Sequence, residues 1–92
     1  MYLIVDFADL DLEYNTTDIH FDEHNADYTV QRLILELCKG IDTFSGETVA
    51  SPETVVLLGP NRNPISLKRM VSQLCQEEWR DWDTIYLTRR RN

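Results

Sequence analysis

Carboxylate side chains are concentrated in the first third of the chain, where residues 6–27 contain eight Asp or Glu and no Lys or Arg. Carboxylates at this density suit three kinds of chemistry: acid–base catalysis by a pair, coordination of a divalent cation, and docking onto a cationic surface. Catalysis has the least support, because no motif places the carboxylates in a cleft and Ser45 lacks the G-x-S-x-G context of a nucleophile. We therefore expect a protein that is not an enzyme and needs no cofactor.

Two segments within this acidic region alternate between apolar and charged residues. DLDLEY (9–14) and DIHFD (18–22) each place every second side chain on an apolar face, which is typical of a strand with one buried face. A turn at NTT joins the two segments as a β-hairpin and pairs Leu12 with Ile19. A slip of one residue would set apolar side chains against charged ones, so burial of one face fixes this register.

The register aligns the charged side chains of both predicted strands on one exposed face. Carboxylates along one strand then recur about every 6.5–7 Å, close to the ~7 Å spacing of phosphates along a nucleic-acid strand. Like charges directly opposite each other lower stability by about 0.2–1 kcal/mol per pair, so selection for folding alone does not explain them. We expect this face to dock onto a basic surface of a partner protein. The predicted partner-binding residues are Asp9, Asp11, Glu13, Asp18, His20, Asp22, Glu23 and Trp82.

Trp82 belongs to this set for a different reason. Trp79 and Trp82 bracket the end of the second predicted helix, and we expect one of them to cap the core and the other to cover its edge. A partly exposed tryptophan beside Arg80 is a candidate binding anchor, since Trp and Arg are frequent among the residues that dominate binding energy.

Two other interpretations of the acidic segment stay open. In the first, the acidic face is solvated and its charge is offset by the basic half of the chain, since residues 54–92 contain seven Lys or Arg against four Asp or Glu. That contact is either internal or made with a second copy, so a homodimer is compatible with the sequence. In the second, a divalent cation binds in the segment, which lacks the central Gly and terminal Glu of an EF-hand loop. The residues considered for that cation are Asp9, Asp11, His20 and Asp22.

The elements that must position these residues predict one α+β domain over residues 1–92. YLIVDF and TVVLLG read as buried strands and TIYLT as the last strand. Apolar spacing predicts a helix from an N-cap at Asp27 to Gly40, and a second helix that begins at Pro64. The order is β-β-β-α-β-α-β, or β-β-α-β-α-β if the first two strands are continuous. It gives a mixed four- or five-stranded sheet with an N-terminal hairpin and two packed helices. The last strand, helix and strand predict a right-handed crossover between parallel strands.

This order, an N-terminal hairpin, a helix, then a late apolar strand and a C-terminal strand, resembles that of ubiquitin-like β-grasp domains. The resemblance implies an alternative function, a structural or signalling module that binds partners through an apolar patch or a sheet edge.

Composition limits the kinds of partner. A net charge of −7 disfavours direct binding of nucleic acid. No apolar run approaches the ~20 residues of a membrane helix, and the N-terminus lacks a signal-peptide pattern. Cys38 and Cys75 fall on the apolar stripes of the predicted helices and are expected to be buried thiols, not metal or redox ligands. These features predict a cytoplasmic protein without a membrane partner.

The function that these observations favour is that of a small acidic, non-catalytic inhibitor or adaptor. Immunity proteins and phage-borne antagonists of antiviral defence fit its size and charge. The expected partner is a basic protein such as a nuclease or a nucleic-acid-binding complex, whose channel an acidic face could occupy as a nucleic-acid mimic. A β-grasp interaction module is the first alternative, and a divalent-metal-binding protein is the second.

Overall fold

A four-stranded mixed sheet with two helices forms the fold in the computed structural model, which describes residues 1–22, 24–25, 27–46, 48 and 50–91. The strands are β1 (Tyr2–Asp6), β2 (Thr16–His20), β3 (Val55–Leu58) and β4 (Thr84–Arg89), and the helices are α1 (Val30–Ser45) and α2 (Val71–Glu77). The strand order across the sheet is β2-β1-β4-β3. The predicted α+β class, N-terminal hairpin and two packed helices are confirmed, with the shorter of the two element orders.

Helix α1 follows the predicted apolar repeat but starts and ends later than predicted. The side chain of Thr29, not Asp27, caps it by accepting a hydrogen bond from the Arg32 N–H at 3.2 Å. Gly40 lies inside the helix, because the buried stripe continues for another turn to Ile41. The helix ends instead at Gly46, whose φ of 76° is the left-handed conformation that glycine adopts most readily. Among the described residues, neither helix is long and apolar enough to cross a membrane.

The N-terminal hairpin joins β1 to β2, so the predicted pairing of residues 9–14 with residues 18–22 is wrong. In the antiparallel register, Leu3 lies opposite Ile19. Residues 8–10 form a short 3-10 turn after β1, and Leu10 within it is buried. The apolar strand β1 pairs with β2, and the two strands share one buried face. Leu10 and Leu12, whose alternating positions resemble a strand pattern, are therefore not needed in a strand and pack at one end of the core.

Strand β4 lies in the middle of the sheet, parallel to β1 and antiparallel to β3. The predicted parallel crossover from β3 to β4 is therefore wrong. The chain already reverses direction after β3, where the Gly59 N–H donates to the Asn63 carbonyl at 2.9 Å and Leu58 bridges Pro64. Pro64 consequently belongs to this returning segment, and α2 does not begin until Val71.

In the described part of the chain, the core and both helices lie on one face of the sheet. Alternate residues of β1, β3 and β4 are buried, among them Leu3, Val5, Ile85 and Leu87, and they form one core cluster with buried residues of both helices. The residues between them are exposed or half-buried. We call this second surface the open face. It consists of Tyr2, Ile4 and Asp6 of β1, Thr16, Asp18 and His20 of β2, Val56 and Leu58 of β3, and Thr84, Tyr86 and Thr88 of β4.

Candidate partner-binding site

Three aromatic rings stand side by side at one end of the open face. The ring of Tyr2 lies between those of His20 and Trp82, with centroid distances of 4.4 Å and 4.9 Å and interplanar angles of 27° and 5°. Adjacent strands are about 4.8 Å apart, so side chains at the same height on β2, β1 and the residue leading into β4 are spaced for stacking. We call these three residues the aromatic stack.

The backbone around Trp82 is held in an unusual conformation. Its φ is 66°, a left-handed conformation that costs a residue with a Cβ about 1–2 kcal/mol. The Trp82 N–H donates to the Tyr2 carbonyl at 2.6 Å, and the Asp81 Oδ1 accepts from the Tyr2 N–H at 2.7 Å. These two hydrogen bonds tie the turn to the first strand, so the ring stays against Tyr2. Backbone strain of this kind is concentrated at functional sites.

The opposite end of the aromatic stack is acidic. Asp22 Oδ2 lies 3.9 Å from His20 Nδ1, and Asp22 Oδ1 accepts from the His24 N–H at 2.8 Å. Asp18 precedes His20 by two residues on β2, so it lies on the same face of the sheet, and it is exposed. The arrangement combines aromatic surface with negative charge, which can attract and hold a cationic group.

Asp9, Asp11 and Glu13, which were also predicted, do not share this surface. Asp9 Oδ1 accepts from the guanidinium of Arg91 and Asp9 Oδ2 from the Arg89 N–H, so the basic end of the chain neutralises it. Asp11 adopts a left-handed conformation at the end of the 3-10 turn, and Glu13 is exposed in the loop before β2. Glu23 lies outside the described residues. The predicted residues that the structure brings together at the aromatic stack are Asp18, His20, Asp22 and Trp82.

The predicted row of carboxylates, spaced along one face of a strand, is therefore wrong. Asp9, Asp11 and Glu13 lie in a turn and a loop, whereas the open face of β2 carries only Asp18 as a carboxylate. The register that placed Asp11 opposite His20, on which the interpretation as a cation site was based, is also wrong. Within the part of the chain that the structure describes, no group of three or more His, Cys, Asp or Glu could hold a metal ion.

Tyr2 is the functional candidate that the sequence did not reveal. The apolar run YLIVDF predicts a strand buried on both faces, but the Tyr2 side chain is 40% exposed on the open face. Its only sequence signal is the position at the start of a strand, in step with Ile4 and Asp6, which also point away from the core.

A second exposed aromatic patch lies at the C-terminal end of α1. The rings of Tyr14 and Phe44 meet edge to face with centroids 6.1 Å apart, and Phe44 also contacts the buried Phe7. A shallow cleft of about 260 Å³ beside them is lined in part by Asp11 and Glu13. We call Tyr14 and Phe44 the helix-end patch.

The cysteines offer no reactive thiol. Both are free, Cys38 is buried and Cys75 is half-buried. Burial, reinforced by the nearby Asp42 carboxylate, raises the pKa of the Cys38 thiol to about 11. Burial also raises the pKa of Cys75. Both thiols are therefore protonated near neutral pH, which disfavours nucleophilic or redox roles.

Neither the family models nor the curated proteins compared with this chain give a match. The case for a function consequently depends on the geometry of the open face.

Proposed function

We propose that the protein is a small acidic, non-catalytic binding protein, an inhibitor or adaptor, that docks its open face onto a cationic surface of a partner protein. The observation that carries the proposal is the aromatic stack, with an exposed Trp82 at one end and carboxylates at the other.

Charge and shape both support this use of the open face. The chain carries 16 Asp or Glu against nine Lys or Arg, and complementary charge speeds association with a basic partner. Trp82 and Tyr2 are 53% and 40% exposed, and exposed aromatic residues next to charged ones are frequent anchors of protein interfaces. Competition with nucleic acid for a nuclease or a nucleic-acid-binding complex is part of the proposal. This competition is supported by the net negative charge of the chain and not by a row of carboxylates spaced like phosphates.

Salt dependence and two matched variants test the proposal. The probe is a peptide rich in arginine and lysine, with affinity measured by isothermal titration calorimetry. We expect affinity to fall at least about tenfold between ~20 mM and ~500 mM salt. We also expect Trp82→Ala to weaken binding and Phe44→Ala, which removes an exposed ring from the helix-end patch, to leave it unchanged. An affinity that changes neither with salt nor in either variant would overturn the proposal.

A ubiquitin-like interaction module is the second candidate. The observation that favours it is the sheet, in which the first and last strands are parallel neighbours at the centre and α1 follows the N-terminal hairpin, as in β-grasp domains. Such a module would bind through the helix-end patch or a sheet edge. Partner binding that is insensitive to salt and lost on Phe44→Ala would favour this candidate over the first.

The proposal includes a cytoplasmic setting. Its support is the pair of free thiols, Cys38 and Cys75, because reduced cysteines are usual in compartments that keep thiols reduced.

A further inference from the structure

We infer that the open face selects arginine over lysine, and that a guanidinium group of the partner stacks on the free face of Trp82. The inference rests on the proposed function, because it names the chemical group that the cationic partner must present. Its occupant is an extended, arginine-containing segment of a partner protein.

Trp82 has one ring face covered and the other available. Tyr2 lies against the first face at 4.9 Å and nearly parallel to it, with an interplanar angle of 5°. Trp82 is nevertheless 53% exposed, so much of its surface outside the Tyr2 contact is open to solvent, and we assign the opposite ring face to the partner. A flat, electron-rich surface of this kind suits a planar cation. The guanidinium of arginine can lie parallel to it, whereas the ammonium of lysine is a compact, strongly hydrated point charge.

The same surface already holds a guanidinium from the chain itself. The Arg62 guanidinium carbon lies 4.3 Å from the centroid of the Tyr86 ring, on the open face. Arg62 also has a left-handed backbone, with φ of 64°. Arg62 and Trp82 thus both have a left-handed backbone conformation, and both place a planar side chain over the open face. The contact between Arg62 and Tyr86 is an internal example of a guanidinium over an aromatic ring at this surface, the kind of contact that we propose for a partner arginine on Trp82.

Charge complementarity favours an extended basic segment across the aromatic stack. Asp18 and Asp22 lie at the His20 end, away from the free face of Trp82. Alternate side chains of an extended segment point the same way about 6.5–7 Å apart. The stack separates the two ends by centroid steps of 4.9 Å and 4.4 Å, so one arginine can stack on Trp82 while a basic side chain about four or more residues away approaches these carboxylates.

Two peptides of equal charge test the inference by calorimetry on the full chain. One is an arginine-rich peptide, and the other has lysine at every arginine position. We expect the arginine peptide to bind at least about threefold more tightly. We expect Trp82→Ala to remove this preference, and Trp82→Phe, which keeps a ring face, to retain part of it. Leu35→Ala, which removes an exposed apolar side chain from α1, serves as the control, and circular dichroism verifies that each variant is folded.

The outcomes separate the inference from the proposed function. Equal, salt-sensitive binding of both peptides would overturn arginine selectivity and leave the proposed function standing. An arginine preference that survives in Trp82→Ala would also overturn the inference, because the selectivity would arise elsewhere. Binding of neither peptide would overturn both. If Trp82→Ala is unfolded, loss of part of the preference in Trp82→Phe supports the inference and an unchanged preference contradicts it.

Discussion

The Asp9 carboxylate binds the guanidinium of Arg91, a residue 82 positions later in the chain. A second hydrogen bond, from the Arg89 N–H to Asp9 Oδ2 at 2.8 Å, joins the same carboxylate to β4. Part of the acidic N-terminal segment is therefore neutralised within the molecule. Internal neutralisation therefore applies to Asp9, whereas display to a partner is proposed for Asp18 and Asp22 of the same segment.

Neutralising Asp9 and Asp18 separately should distinguish these roles. Asp18→Asn should weaken binding of an arginine-rich peptide at low salt, because this exposed carboxylate lies beside the aromatic stack. Asp9→Asn should change that affinity little, although the charge change is the same. Fluorescence titration at ~20 mM salt measures both. Equal loss in the two variants would mean that only net charge matters.

Two substitutions at position 82 should differ in stability. Glycine tolerates positive φ and alanine does not, so Trp82→Gly should have a free energy of unfolding about 1 kcal/mol higher than Trp82→Ala. Both lose the contact with Tyr2, which makes them a matched pair. Urea denaturation followed by circular dichroism gives the difference. Equal stabilities, or a more stable alanine variant, would contradict the backbone strain at Trp82.

The two glycines of α1 should respond in opposite directions to alanine. Gly40 lies within the helix, and no atom lies within 4 Å of the position that a Cβ would take there, so Gly40→Ala should raise the free energy of unfolding by about 0.5–1 kcal/mol. Gly46 has a φ of 76°, so Gly46→Ala should lower it by about 1 kcal/mol. Chemical denaturation measures both. A helix that ended at Gly40 would reverse the sign at that position.

The buried thiol of Cys38 should make stability fall in alkaline solution. Burial, with a smaller contribution from Asp42, raises its pKa from 9.0 to about 11 in the folded state. Well below pH 9 the thiol is protonated in both states and its contribution is fully present. As the pH rises from 9 to 11 the unfolded chain loses this proton while the folded protein keeps it, so the free energy of unfolding decreases.

Cys38→Ala is the control for this pH effect, because the other groups that titrate in the same range remain in both proteins. The variant should show a shallower decrease between pH 9 and pH 11 than the wild type, by urea denaturation at each pH. Parallel curves for the two proteins would contradict the raised pKa.

Local patterns in the sequence are sufficient to predict much of the fold. The apolar repeat from Val30 to Cys38 predicts α1, because one helical stripe must face the core. It does not locate the end of the helix, since a glycine on the solvent side does not terminate a helix whose apolar stripe continues. The segment 9–14 misleads for a related reason. A short alternating pattern does not reveal whether its leucines lie in a strand or close the end of a core.

The aromatic stack could not be predicted from the sequence. Its three residues come from the start of β1, the end of β2 and the turn before β4, and only the strand order brings them to one height on one face. Predicting that order would require the parallel pairing of the first and last strands, which is a long-range contact without a local signal. Residue type and position single out Trp82, but nothing local points to its partner Tyr2.

The central parallel pair also determines how the molecule would respond to mechanical force. With β1 and β4 parallel, tension applied through the two ends of the chain pulls the start of β1 and the end of β4 in opposite directions along a common axis. The hydrogen bonds between them are then loaded in shear and must rupture together, whereas the bonds of a terminal hairpin would open one at a time. The protein should therefore resist stretching through its ends more strongly than its small size suggests.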